Sequence, residues 1–476
     1  MNYRFVCGAM FTAVVAIGFG SVAIAQVPVT PNTSPPPLQN VQVTTIDASV
    51  GTLGDPHVDG ALVAYPADAN DGTGAHLRYF TLGVDTAPHQ VPFGPGTQDV
   101  LPKVSGTRIA YSHEDGFGVS ITVLDTAQPL GSGNPVTINP EVNAEQFSPS
   151  IRGTTIAYID ATPSVDPQGE VVVFDTSTNS AARVTTDPAV DQRPSLAPDG
   201  RLVVWEKCPV DTNHCDIWKA ENVGGAWLPS VVSNDPGNEQ SPDTNGDIIV
   251  YGAERVDGRQ IFYRDAANVE HEVLMPGTSA APRISGDFIT FASQTASGRY
   301  NTFLFQLSTA RLWNLTNQSL VDDLLADISV LPDGDVVVVY ASTNPDAHHL
   351  VVSAVRVTVP PVAPSYGVCL LYDATKAKKS GSTYPIQIQL CDAAGANQSS
   401  PSIVVHAVGV TQLSSNAPGT LDDAGNSNPD FDFRYDATLA GYTFNLKTTG
   451  FATGTYAINF TAGADPAIHS ATFQIK

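Results

Sequence analysis

Long apolar segments are scarce in this sequence of 476 residues. After residue 25, no stretch is long and apolar enough to cross a bilayer. The first 25 residues differ, because Arg4 precedes a run of apolar and small residues that ends in the small-x-small cleavage site Ala23-Ile24-Ala25. We predict a signal peptide over residues 1–25, no membrane span after its removal, and an extracytoplasmic location, either periplasmic or secreted.

Basic residues are few. The sequence has 23 Lys and Arg against 47 Asp and Glu, with a formal net charge of −24. Such a surface repels nucleic acid and anionic lipid, so we predict no nucleic-acid partner. It suits a cation or a basic partner, and it equally serves solubility outside the cytoplasm.

Familiar catalytic motifs are missing. The sequence contains no Gly-x-Ser-x-Gly elbow, no His-Glu-x-x-His, no sialidase Asp-box and no EF-hand loop. The acidic pairs at 322–323 and 422–423 are typical of turns rather than of calcium loops. We therefore predict no catalytic residues, no metal site and no cofactor.

Cysteine is rare, with five in the chain, one of them inside the predicted signal peptide. An even number of cysteines in an exported chain favours disulfides. Cys208 and Cys215 flank a turn-rich loop and are predicted to join one hairpin. Cys369 and Cys391 are predicted to tie the first two strands of the last domain.

What the chain does contain is one phrase repeated seven times: a proline, a short extended stretch, a glycine turn, and a β-branched run that ends in an aromatic residue. Successive copies start 40 to 48 residues apart, about the length of one four-stranded propeller blade. The pattern predicts an all-β, seven-bladed β-propeller over residues 41–359. The copies lie at residues 56–65, 102–111, 149–158, 194–205, 242–251, 282–291 and 328–340, the last without the proline.

The seventh repeat runs into a linker after its third strand. A lone strand near Val43 precedes the first repeat, and we predict that it supplies the missing fourth strand and closes the last blade. Residues 26–40, before this strand, form a proline-rich linker that is predicted to be extended or mobile.

The copy at residues 194–205, Pro-Ser-Leu-Ala-Pro-Asp-Gly-Arg-Leu-Val-Val-Trp, resembles the repeats of TolB-type propellers from exported bacterial proteins. Ala197 stands where that family usually has serine. The Pro-x-Ile/Val-Ser-Gly copies are similar to the repeats of surface-layer propellers. The resemblance implies a fold rather than an activity. TolB has six blades and a separate N-terminal domain, whereas seven repeats and no such domain are expected here, so the role of TolB in the Tol system does not carry over.

The last part of the chain is predicted to be a separate immunoglobulin-like β-sandwich over residues 366–476, after a stiff linker at residues 360–365. Alternating apolar and polar residues mark its strands. The stretch Pro385-Ile386-Gln387-Ile388 resembles the naming motif of the PxKF-type domain, with glutamine for lysine and isoleucine for phenylalanine.

Several repeats place an acid beside a glutamine just before the proline. By topology these pairs lie at one mouth of the central channel, where they would form a polar ring for a cation or a basic peptide. Their alternative role is to satisfy tight turns once in each blade. The predicted binding residues are Gln98, Asp99, Glu145, Gln146, Asp191, Gln192, Glu239 and Gln240.

Two classes of function follow. In the first, the chain is an exported, non-catalytic scaffold whose propeller loops bind a protein or glycan partner in the cell envelope or outside the cell. In the second, it is an extracytoplasmic carbohydrate-active hydrolase or lyase with its site at the channel mouth. Facing carboxylates at the mouth would favour the enzyme.

Overall fold

The computed structural model describes residues 26–48, 50–51, 54–68, 74–131, 133–141, 143–163, 168–210, 214–233, 235–256, 258–344, 349–361, 365–413, 417–425 and 427–476. The predicted signal peptide at residues 1–25 lies outside this set. The chain divides into two compact units, Met1–Pro360 and Pro361–Lys476. In the described part of the chain, no helix is long and apolar enough to span a membrane. The prediction of an all-β protein is confirmed.

Two strands precede the repeats, β1 (Gln26–Val29) and β2 (Gln39–Asp47). The repeats form antiparallel sheets, here numbered 1 to 7. From the innermost strand outward, sheet 1 is β3 (His57–Asp59), β4 (Leu62–Asp68), β5 (Ala75–Thr81), β6 (His89–Gln90); sheet 2 is β7 (Gln98–Ser105), β8 (Arg108–Asp115), β9 (Gly118–Asp125), β10 (Val136–Thr137); sheet 3 is β11 (Gln146–Arg152), β12 (Thr155–Asp160), β13 (Glu170–Asp175), β14 (Ser180–Arg183); sheet 4 is β15 (Val190–Leu196), β16 (Leu202–Cys208), β17 (Asp216–Val223), β18 (Ala226–Ser233).

The remaining sheets of this unit continue the same order. Sheet 5 is β19 (Glu239–Thr244), β20 (Ile249–Arg255), β21 (Gly258–Arg264), β22 (Glu270–Val273) with β1 added; sheet 6 is β23 (Ser279–Ser285), β24 (Phe288–Gln294), β25 (Tyr300–Gln306), β26 (Arg311–Asn314); sheet 7 is β27 (Asp323–Val330), β28 (Val336–Asn344), β29 (His349–Thr358) and β2.

The repeated phrase builds the two inner strands of each sheet. Its glycine turn reverses the chain between them, and Gly106 and Gly153 adopt the left-handed φ values of 58° and 56° that such turns require. The β-branched run then forms the second strand, which is almost wholly buried because both of its faces pack against neighbouring sheets. The aromatic residue that ends the phrase is buried in all seven copies.

The sheets form a ring. Each innermost strand contacts the next, and β27 of sheet 7 contacts β3 of sheet 1. Seven separate apolar clusters of described residues each join two adjacent sheets, including one that joins sheet 7 to sheet 1. The seam is bonded like the other junctions: Gly60 N donates to Ser329 Oγ at 2.9 Å, just as Gly106 N donates to Asp59 Oδ2 at 2.7 Å. The core therefore lies between sheets rather than at the axis.

The segment before the repeats runs along the outer edges of three consecutive sheets. β1 pairs in parallel with β22 of sheet 5. Asn32 N then donates to Ala310 O at 2.7 Å, and the indole of Trp313, in sheet 6, donates to Pro36 O at 2.9 Å. β2 finally pairs antiparallel with β29 as the outer strand of sheet 7. The proline-rich stretch 26–40 is thus extended and bonded to sheets 5 and 6.

The second unit contains two four-stranded sheets that share one apolar core. A short 3-10 turn, Pro429–Phe431, is its one helical element among the described residues. The first sheet is ordered β30 (Gly367–Leu370), β31 (Thr383–Cys391), β35 (Gly441–Lys447), β34 (Arg434–Asp436), and the second β33 (Ala417–Gly419), β32 (Val405–Gln412), β36 (Gly454–Ala462), β37 (Asp465–Ile475).

Both predicted disulfides are present. Cys208–Cys215 joins β16 to the start of β17, with its Cα atoms 4.1 Å apart. Cys369–Cys391 joins β30 to β31, with its Cα atoms 6.1 Å apart. Each bridge therefore closes a local hairpin, as the cysteine spacing predicts, and both agree with an oxidising compartment.

Candidate functional site

A β-bulge precedes the proline of the repeated phrase. The residue before the proline has a left-handed φ between 47° and 58° in five copies, and Leu325, before Ala326 in the seventh, has 54°. The pairing with the second strand shifts at each of these points. A proline has no N–H to donate, so it sits in the interrupted ladder without losing a hydrogen bond. The five are Leu101, Ser148, Arg193, Ser241 and Ala281.

The proline side chain is buried between sheets, and the next residue belongs to the opposite face of its strand, toward the ring axis. These residues, one from each sheet, are here called the hub positions. Six of the seven, all except His57, line a cavity whose space for the centres of water molecules is about 30 Å³. The hub positions are His57, Lys103, Ser150, Ser195, Asp243, Arg283 and Asp327.

Hydrogen bonds at the hub link sheets 7, 1 and 2. His57 Nδ1 lies 3.0 Å from Asp327 Oδ2, which also accepts from Val58 N at 3.1 Å. Lys103 Nζ lies 3.0 Å from each ring nitrogen of His57. Asp55 Oδ2 lies 3.4 Å from His57 Nε2. A residue of the first repeat is thus held from both sides, by the second repeat and by the seventh.

Electrostatics at the hub follow from burial and from these neighbours. Burial alone would raise the pKa of Asp55, but the charge and hydrogen bond of His57, with Lys103 and Arg283, outweigh burial and hold that pKa at about 2. The same balance keeps the pKa of Asp327 well below its usual range. Burial, followed by repulsion from Arg283, lowers the pKa of Lys103 to about 8.

The rest of the hub is joined by bonds of the same kind. Ser150 Oγ accepts from Leu196 N at 3.0 Å, which joins sheets 3 and 4. Ser195 Oγ donates to Asp243 Oδ1 at 2.6 Å, and Ile284 N donates to Asp243 Oδ2 at 2.9 Å, which joins sheets 4, 5 and 6. At this depth the axis is occupied by protein side chains, and the remaining space has room for two or three water molecules but not for a sugar or a peptide.

The predicted acid–glutamine residues lie at or beside the start of the first strands of sheets 2 to 5. Among the described residues, no hydrogen bond or ion pair joins one pair to another. One member of each pair is buried and contacts its surroundings within the sheets. Asp99 Oδ1 lies 2.7 Å from His113 Nδ1, and Trp205 Nε1 donates to Asp191 Oδ1 at 2.9 Å. Their partners Gln98 and Gln192 are half-buried. Such contacts are expected of residues that stabilise the fold by hydrogen-bonding buried polar groups. A binding role for these residues stays a prediction.

The other two pairs are held in a similar way. Gln146, fully buried, donates from Nε2 to Asn139 O at 3.3 Å. Glu239, also fully buried, accepts from Ser233 Oγ at 2.7 Å, and burial raises its pKa to about 7. Glu145 and Gln240 are half-buried.

Sequence reasoning missed the hub positions, although a signal was present. Aligning the six prolines shows that the following residue is polar or charged in every case, and in the seventh copy Asp327 follows Ala326 in the same place. Since side chains alternate along a strand, a buried proline followed by an invariably polar residue indicates a second environment on the other face. The environment lies at the axis because the first strand of each sheet is the innermost one.

The two ends of the ring differ. At one end the turns between first and second strands have two to five residues, and several bond to a neighbouring sheet, as Gly153 N does to Ser105 Oγ at 3.0 Å. The connections between third and fourth strands lie at the same end and have two to ten residues. The other end is here called the long-loop end, and there the connections between second and third strands have two to nine residues. The connections from each sheet to the next lie at this end too, because strand direction alternates. Large apolar side chains are exposed there, including Phe117 at 83%, Val256 at 103% and Leu320 at 75%.

One group of potential metal-binding side chains occurs among the described residues, Glu206 with Cys208 and Cys215. The two sulfurs are bonded to each other, so they are not free thiolates, and the set does not fit a metal. Glu206 is instead held by Arg193, whose NH1 nitrogen lies 2.9 and 2.8 Å from the two carboxylate oxygens.

No family model matches the sequence. No curated protein matches it either. Among solved structures, an oligogalacturonate lyase in complex with manganese is 13% identical with a TM-score of 0.49, over 71% of this chain and 98% of that chain. The propeller domain of the Trilobed protease from Pyrococcus furiosus is 14% identical with a TM-score of 0.48, over 65% and 94%.

A putative TolB from Agrobacterium tumefaciens is 14% identical with a TM-score of 0.37, over 67% of this chain and 99% of that chain. At such identities and scores these three structures indicate no substrate, metal or partner for this chain.

Proposed function

We propose that this protein is an exported, non-catalytic binding scaffold. In this proposal the seven sheets are the blades of a seven-bladed TolB-like propeller, and the second unit is an immunoglobulin-like domain of the PxKF kind. The long-loop end is the surface that engages a protein or glycan partner outside the cytoplasm. The two disulfides and the predicted signal peptide support the export.

The contrast between the two ends of the ring carries this proposal. At one end every turn between first and second strands has at most five residues and several bond between sheets, whereas at the other end the two sets of connections are loops of up to nine residues. A rigid frame that presents varied loops is the usual design of a binding surface. Exposed Phe117, Val256 and Leu320 at that end provide the apolar contacts that anchor an interface.

The hub supports binding rather than catalysis at the axis. Its carboxylates Asp327 and Asp243 are bonded to groups of neighbouring sheets, and its cavity is too small for a sugar ring. A glycosidase needs two carboxylates that face each other across its substrate. Asp99 and Asp191, from the predicted channel-mouth set, are each bonded to a side chain of their own sheet instead.

The test compares two surface variants as baits. In the first, Phe117, Val256 and Leu320 are replaced with serine; in the control, Val84 and Val223 at the opposite end, which are 74% and 59% exposed, are replaced with serine. Baits are exposed to periplasmic extract and culture supernatant, and captured proteins and glycans are identified by mass spectrometry. We expect the control to retain the wild-type partner and the long-loop variant to lose it. Equal capture by both variants, or glycan cleavage during the incubation, would contradict the proposal.

A further inference from the structure

Two arginines line the hub cavity, Arg152 of sheet 3 and Arg283 of sheet 6. Among the described residues, neither guanidinium lies within 4.0 Å of a carboxylate oxygen. Arg152 donates from NH1 to Val104 O at 3.3 Å and to Ile151 O at 3.4 Å, and Arg283 donates from NH1 to Pro282 O at 2.9 Å. These bonds use one terminal nitrogen of each guanidinium, which has five N–H groups in all.

The carboxylates that line the same cavity are already bonded. Asp243 accepts from Ser195 Oγ through one oxygen and from Ile284 N through the other. Asp327 accepts from Ile328 N through Oδ1 at 2.9 Å, and its Oδ2 is shared by His57 and Val58 N. The negative charges are thus directed toward protein donors, whereas the guanidinium donors are not matched by protein carboxylates.

Lys103 adds a third positive charge to the lining. Repulsion from Arg283 is the second cause, after burial, of the lowered pKa of its ammonium group. Like charges that face one small, enclosed space favour a counter-ion between them, because charge interactions are strong where water is scarce. Asp55, Asp243 and Asp327 attract Lys103, and Asp55 and Asp327 also interact with the charge of Arg283, but among the described residues no carboxylate oxygen lies within 4.0 Å of either guanidinium.

The size of the cavity restricts the ligand. About 30 Å³ of space for water centres admits two or three water molecules. We propose that the hub cavity binds a small monovalent anion of the halide class, held by the guanidinium groups of Arg152 and Arg283 with Lys103 nearby. The anion joins sheets 2, 3 and 6 across the axis. This inference is independent of what the long-loop end binds.

The direct test uses bromide as the probe, because its anomalous scattering locates it in a crystal. Crystals of the full chain are grown in sodium bromide in place of sodium chloride. We expect an anomalous peak in the hub cavity within hydrogen-bonding distance of Arg283. Peaks on the outer surface alone would show an adventitious ion only and would overturn the proposal, whatever other measurements give.

A second test is made in solution. A ligand that binds the folded state raises its stability by mass action. The thermal unfolding midpoint of the wild type is therefore expected to be higher, in a saturable manner, in sodium chloride than in sodium gluconate of equal ionic strength. R283Q and R152Q should each lose this difference, and R434Q, at an exposed arginine of the second unit, should keep it. Equal midpoints of the wild type in the two salts would contradict halide binding, and this result does not depend on the folding of any variant.

Discussion

Replacing Glu239 with glutamine isolates the effect of a single buried carboxyl group. This side chain is fully buried at the start of β19, accepts from Ser233 Oγ, and lies 3.6 Å from the nearest nitrogen of Arg255. Burial raises its pKa more than these partners lower it, from 4.5 to about 7. Glutamine has nearly the same shape and carries no charge, so E239Q keeps the packing and removes the titration.

The sign of the effect follows from linkage. A carboxyl whose folded pKa is raised contributes its full stability below the unfolded pKa, and the contribution is lost as the pH rises through the folded pKa. For Glu239 this contribution to stability is therefore lost mainly as the pH rises from about 4.5 to about 7. The gap between these two pKa values corresponds to roughly 3 kcal/mol at alkaline pH and to less than about 1 kcal/mol at pH 5.

The assay is urea unfolding followed by tryptophan fluorescence at pH 5.0 and pH 8.5. All four tryptophans lie in the first unit, so the signal reports that unit alone. We expect E239Q to be more stable than the wild type by about 2 to 3 kcal/mol at pH 8.5 and by less than about 1 kcal/mol at pH 5. The exposed E114Q serves as the control and should show no such gain. A difference between E239Q and the wild type that does not grow with pH would refute the reasoning.

Three further predictions concern the ring and its attachments. D327N removes a carboxylate whose pKa is lowered by His57 and Lys103, because their effect outweighs that of burial. At pH 7 we expect the free energy of unfolding in urea to fall by roughly 3 kcal/mol, and this deficit to shrink as the pH falls below about 4. A deficit that does not change with pH would contradict the network. The double variant C208S/C215S opens a bridge of sequence separation 7 and should lower the free energy of unfolding by about 2 kcal/mol, seen as an earlier fluorescence transition; an unchanged transition would mean that the bridge does not constrain the unfolded chain. Removing residues 26–37 while keeping β2 should leave a folded ring with a lower calorimetric midpoint, because β1 and the bond from Trp313 to Pro36 are lost; an unchanged midpoint would show that these contacts contribute nothing.

The elements that follow local rules could be predicted from the sequence. The proline, the glycine turn and the β-branched run each have their own backbone preferences, so the inner strands and their spacing could be predicted. The short spacing of the cysteines likewise predicted the two hairpin disulfides. The bulge was not predicted, because the residue before a proline usually adopts an extended conformation, whereas Leu101 and Ser241 have φ values of 53° and 58°.

The candidate site was harder to predict, because its contacts are non-local. The pair Asp191-Gln192 is typical of a polar loop, yet Asp191 is buried, and Trp205 from the next strand donates the hydrogen bond that compensates its burial. In the same way, the contacts of His57 with Lys103 and Asp327 could not be predicted from local patterns. Lys103 is 46 residues from His57 in the chain, and Asp327 is 270 residues from it. Local patterns indicate which residues repeat, and the closed ring decides which of them meet.

Closure of the ring by its first and last strands can be tested with one cysteine pair. Thr45 of β2 and Ser353 of β29 face each other in the sheet register, although 308 residues separate them in the chain. A short thiol-specific cross-linker applied to T45C/S353C should join these two positions in native protein, as shown by peptide mapping. The control T45C/S230C, whose second cysteine lies on the outer strand of sheet 4, should stay unlinked. Linkage of both pairs, or of neither, would contradict a ring in which the N-terminal strand completes the last sheet.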